Sequence, residues 1–140
     1  MNPRLLIVLA VLGSLAVGAW SVRLVTQARR DARARADYEA YARSFQASDP
    51  VWSRLADGRY RGQAGVGDER LAVEITVAGR RMKDIAITHP DGKRAVAYQD
   101  AVRLALERQS IVGLAEASPA ERTLAMAVQH ALAYGRPDRK

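Results

Sequence analysis

Apolar and polar residues alternate through "LAVEITV", Leu71 to Val77. That alternation puts Leu71, Val73, Ile75 and Val77 on one face of a half-buried strand. Ala78-Gly79 forms a tight connection, with Gly79 free to adopt positive φ. "RMKDIAIT" then alternates at Ile85 and Ile87. Met82 falls three residues from Ile85, which predicts a bulge near Lys83. Upstream, Asp57-Gly58 marks a turn, Tyr60 to Ala64 a short strand, and "GVGD", Gly65 to Asp68, a second turn. The expected sheet is an antiparallel meander of at least three strands, with Glu74, Thr76, Lys83 and Thr88 on its polar face.

After the turn "HPDGK" the period changes. "RAVAYQDAVRLALERQS" has a helical apolar stripe at Ala95, Tyr98, Val102, Ala105 and Leu106. Gly113 interrupts it. A second helix is expected from Pro119 to about Tyr134, burying Leu124, Val128, Ala131 and Leu132 and stopped by Gly135 and Pro137. The tail "RPDRK" is expected to fray. Strands followed by two helices give an α+β domain, with both helices on one face of a small antiparallel sheet.

The start of the chain is different. "LLIVLAVLGSLAVGAWSV", Leu5 to Val22, has no charged residue. As a helix it spans roughly 27 Å, near the hydrocarbon thickness of a bilayer. It reads as a membrane anchor within residues 1–23, in preference to a signal peptide, whose apolar core is shorter. Residues 24–50 continue as a helical stalk with a narrow stripe at Ala34, Tyr38, Tyr41 and Phe45. The stalk is either solvated or a basic segment lying on anionic lipid or on a partner helix. Pro50 ends it, and residues 51–140 form the compact part.

Composition narrows the chemistry. The 140 residues contain no cysteine, which excludes disulfides, Cys-ligated metal and thioether-linked haem. His89 and His130 are far apart and lack carboxylates at ligand spacing, so both read as surface or half-buried residues. The net charge is +7, mostly from arginine. These arginines are dispersed and no recognition helix appears, which argues against nucleic acid as a partner. No nucleophile elbow, P-loop or dinucleotide fingerprint is present.

"SPAE", Ser118 to Glu121, fits a capping box, with Ser at N-cap, Pro at N1 and Glu at N3. The start of a helix also suits a phosphate. From these residues alone, cap and anion site both remain open.

"LADGRYRGQAGVGDERLAVEITVAGRRMKDIAITH", followed by a helix ending "LERQS" and a helix after an Ala-Ser step, resembles the FMN-binding domain. That domain occurs in the flavin-carrying subunits of the Rnf and sodium-pumping NADH:quinone reductase complexes. The likeness covers about Trp52 to Tyr134. "DGRYRG" matches the family's opening. "AEAS", Ala115 to Ser118, occupies the family's Ser-Gly-Ala-Thr signature, where a flavin transferase attaches FMN to the Thr through its phosphate. Ala117 matches and Ser118 keeps a hydroxyl at the attachment position. Ala115 and Glu116 stand where the family has Ser and Gly, and Val112 where it has Asp.

The resemblance implies FMN as cofactor, with Ser118, Ala117 and Glu116 at the phosphate and Tyr60, Gly65 and Gly67 near the ring. It implies an electron carrier or accessory subunit of a membrane redox complex. Implied partners are the lipid bilayer, the other subunits and a flavin transferase. It also implies a single-pass protein of the cell membrane, its soluble domain outside the cytoplasm. Arg23, Arg29, Arg30, Arg33 and Arg35 follow the apolar stretch and only Arg4 precedes it, so the positive-inside rule counted alone points the other way. The alternative expectation is a cofactor-free descendant of this fold, serving as a membrane-tethered interaction module.

Overall fold

The computed structural model describes the backbone of residues 3–138 and the side chains of residues 21–138. Nearly all of the expected anchor, Leu5 to Val22, therefore lies outside the residues described in full. Among the described residues no helix is long and apolar enough to cross a membrane. The chain divides into two compact units, residues 1–37 and 38–140.

Helix α1 runs Pro3–Ser44. In its first unit the side chains from Ser21 to Asp37 are all exposed. The second unit takes in the helix's last turns. There Phe45 packs on the core, and the Tyr38 hydroxyl lies 3.4 Å from Thr123 Oγ1.

Strands β1 (Gly58–Ala64), β2 (Leu71–Ala78) and β3 (Arg81–His89) form one antiparallel sheet in chain order. β2 lies in the middle, and its burial alternates residue by residue as its sequence predicts. Ile75 pairs with Tyr60 on one side and Ile85 on the other. Thr76 pairs with Asp84 and Val77 with Met82, leaving Lys83 as the bulged residue. The bulge lets Met82 and Ile85, three apart, both face inward. A second irregularity falls opposite Ala72 and Val73. The β2–β3 connection has two central residues, Gly79 and Arg80, at φ 59° and 63°. Positive φ at both positions matches the right-handed twist of the flanking strands.

The stretch expected as one helix from Arg94 is two: α2 (Lys93–Val96) and α3 (Gln99–Arg108). The ladder breaks at Ala97 and Tyr98, where Tyr98 N–H bonds Ala95 O in a tighter turn. Past the break Ala101 and Ala105 are the fully buried positions, while Tyr98, Val102 and Leu106 are only half-buried. α3 ends at Gln109, in the left-handed region at φ 53°. From there its side chain reaches β3, accepting from Met82 N–H at 2.8 Å and donating to Met82 O at 2.9 Å.

α4 spans Pro119–Tyr134, the bounds its sequence predicts. It lies across β1 and β2 and buries Leu124, Ala125, Val128, Ala131 and Leu132. Contact with β1 is backbone to backbone at Gly62: a Cβ there would lie 2.7 Å from Ala131 Cα, and closer still to Ala127 O and Ala131 N.

As far as Asp138, the tail expected to fray is held; the last two residues lie outside those described. Gly135 leaves the helix in an extended conformation, and Asp138 N–H bonds Arg59 O at 3.1 Å in an isolated antiparallel bridge. Glu74 on β2 pairs with Arg61 at 2.9 Å and Arg59 at 3.5 Å, and Arg61 also reaches Asp138 at 3.6 Å. The hydrogen bond to Glu74, then the charges of Asp138 and Glu74, push the Arg61 pKa further above its ordinary value. Both partners of the Arg61–Asp138 contact are well exposed, so this outer-face network contributes little to stability.

Candidate functional site

Ser118 is the N-cap of α4. Its backbone is extended, at φ −147° and ψ 162°, and its Oγ accepts from Glu121 N–H at 3.2 Å. Pro119 at N1 has no N–H to satisfy, which leaves Ala120 N–H as the first free donor of the helix. Only half of the expected capping box forms. The Glu121 side chain does not return to Ser118, and its Oε2 is buried without a partner. Ser118→Ala should therefore lower stability by about 1 kcal/mol. Equilibrium urea unfolding measures it, and an unchanged midpoint would remove the cap from the account.

The segment before the cap is anchored from beneath. Leu114 and Ala115 are buried, and Arg122 Nε donates to Ala115 O at 2.9 Å. Asp49 holds the preceding turn through Ile111 N–H at 2.8 Å and Ser110 Oγ at 2.7 Å. Glu116 and Ala117 are left exposed on the surface of this loop.

Across from the start of α4 stands the short turn Gly67–Glu69. The two wall a cavity of about 430 Å³ whose lining includes Asp68, Arg70, Pro90, Arg94, Tyr98 and Pro119. Arg94 is tied to the turn, its Nη2 donating to Asp68 O at 2.7 Å. Glu69 adds a second carboxylate to the lining. The site thus offers two guanidinium groups, two carboxylates, an aromatic ring and a helix start.

Six residues carry the flavin expectation, and they fall in different places. Ser118 and Gly67 adjoin this cavity through their neighbours Pro119 and Asp68. Ala117 and Glu116 lie on the exposed loop just before it. Gly65 lines another cavity, of about 250 Å³, with Tyr38, Tyr41, Gln63, Met126 and His130. Tyr60 is a core residue, 3% exposed, facing the helices, and its hydroxyl donates to Ala56 O at 2.7 Å. β1 turns Tyr60 and Gly62 inward together.

Sequence pattern alone does not single out Arg70, Arg94 and Tyr98. Tyr98 reads there as one more residue of a buried stripe, and Arg70 and Arg94 as two among many dispersed arginines. What brings them together is the return of the chain at Pro90, which is long-range information.

His130 is exposed, its Nδ1 accepting from Gln63 N–H at 3.4 Å, and His89 is half-buried at the end of β3. Among the described residues no group of three or more His, Asp or Glu side chains could hold a metal. No family model, no curated protein and no solved structure matches the chain.

Proposed function

We propose that this chain is a membrane-anchored FMN-binding-type protein, an electron carrier or accessory subunit of a membrane redox complex. One observation supports it above the rest. The Gly67–Glu69 turn, whose Gly67 the resemblance implies near the ring, and the start of α4, where it implies the phosphate, wall one cavity that also holds Arg70 and Arg94.

The residues present fit the phosphate end of such a group. Arg70, Arg94 and Ala120 N–H would meet the phosphate, with Ser118 Oγ at the edge. Tyr98 and Pro90 would flank the ring. Bound there, the flavin would supply one- and two-electron transfer. The chain's own part is to hold the phosphate, orient the ring and balance charge through Asp68 and Glu69. The test is the visible spectrum and intact mass of the full chain co-expressed with a flavin transferase. Flavin absorbance is expected, with one added FMN if Ser118 is esterified. A colourless protein of unmodified mass overturns the reading.

The anchor is the uncharged stretch Leu5 to Val22, and the proposed location is the cell membrane with the soluble part outside the cytoplasm. Protease added to intact spheroplasts should then degrade the domain; degradation only after lysis would reverse the orientation.

A specific observation favours a second reading, a cofactor-free interaction module. Glu121 Oε2 is buried without a partner at the same helix start, and Ser118 Oγ already serves as a cap. A carboxylate there opposes a bound phosphate. On this reading Ser118→Ala lowers stability but leaves the activity of any partner complex unchanged.

A further inference from the structure

The first unit of α1 carries a feature that the flavin reading does not use. At 3.6 residues per turn, Arg23, Arg29, Arg30 and Arg33 fall within an arc of about 120° on one side of the helix. All four are exposed, and none forms an ion pair among the described residues. Asp31 falls off this arc; Asp37 falls on it, one turn beyond Arg33. Where the basic face begins, Val22, Leu24 and Val25 are 65%, 57% and 52% exposed. Directly before it lies the uncharged Leu5 to Val22.

An unpaired cationic face suits an anionic surface, and exposed apolar residues beside an uncharged helical stretch favour lipid as that surface. Nucleic acid would match the charge but not the apolar residues at its edge. We propose that the face formed by Arg23, Arg29, Arg30 and Arg33 binds the anionic headgroups of the bilayer. Arg33 lies roughly 16 Å along the helix from Val22, farther than the headgroup layer is thick. The helix therefore leans, basic side down, when all four are engaged. Each arginine near an anionic surface strengthens attachment about fivefold. The inference rests on the membrane reading above, though not on the flavin.

The test is tryptic cleavage of the full chain after Arg35, a residue off the basic face. Vesicles of phosphatidylcholine alone are compared with vesicles holding about 30% phosphatidylglycerol. The expected result is cleavage about tenfold slower on the anionic vesicles, restored by about 1 M NaCl, where the screening length is about 3 Å. Arg29→Gln, Arg30→Gln and Arg33→Gln together should abolish the protection while the far-ultraviolet spectrum stays helical. Inorganic phosphate added to the neutral vesicles should not protect; protection by it would make the face a free-phosphate site and overturn the proposal. A chain that inserts in both vesicles and is cut equally fast overturns the proposal and leaves the anchor standing. One that associates only with anionic vesicles supports the basic face and overturns the anchor. One that associates with neither overturns both.

Discussion

Gly62→Ala is expected to destabilise the compact unit by about 3 kcal/mol or more. Gly62 sits mid-strand, paired with Val73, where glycine is ordinarily a poor choice. Its presence is explained by α4, whose backbone passes directly over it at Ala127 and Ala131. A methyl group would meet backbone atoms, which cannot rotate aside as the end of a side chain would. Either α4 lifts off β1 or the strand bows away, and both loosen packing around Val128 and Ala131, which are fully buried. In a domain of this size the melting midpoint should fall by about 12 °C or more. Thermal unfolding followed by circular dichroism measures it. A midpoint within a degree or two of the parent would mean that α4 does not rest on β1 as described.

The second large effect is expected at Ile75. It is completely buried at the centre of the middle strand, between Tyr60 and Ile85 and beneath the helices. Ile75→Ala removes three carbons where neighbours on both strands are held by the ladder and cannot collapse inward. The expected loss is about 2–5 kcal/mol, against about 0.5–1.5 kcal/mol for Ile75→Val. Domains of this kind are stable by only about 5–15 kcal/mol, so the alanine variant should lose a large share of the domain's stability. Chemical denaturation of the pair gives a clean comparison, because the valine change keeps the β-branch. Equal losses for both would point to strain in the strand instead of lost packing.

Much of this fold is legible in local pattern. Leu71 to Val77 alternate because one face of β2 is covered and the other is not, and that period survives in the sequence without knowledge of the partners. Ser118, Pro119 and Gly135 mark the ends of α4 because capping is a matter of a few neighbouring residues. The bulge at Lys83 is legible as well, from the mismatch between Met82 and Ile85. What local pattern misses is set by distant contacts. The break at Ala97 leaves helical composition on both sides. Asp138 is ordered by β1, far back in the chain. The resemblance implies Tyr60 near the flavin ring, whereas opposite Ile75 on β1 it lies in the core. The candidate cavity depends on four separate segments meeting, so its arginines carry no local signature. The hydroxyl of Ser118 is legible as a cap from four residues; whether it also holds a phosphate is a question of what stands across the cavity.

Both borders of the sheet are capped in part by something other than a strand. On β3, the Gln109 amide takes both the N–H and the C=O of Met82. On β1, Asp138 takes the carbonyl of Arg59 and His130 the N–H of Gln63. At those positions a second copy of the chain finds no unclaimed backbone group to zip onto. A three-stranded sheet with open margins would be a template for stacking copies edge to edge. This one is capped at Met82, Arg59 and Gln63 by a glutamine, a stretch of tail and a histidine, which shortens the run of open backbone an added strand could pair with.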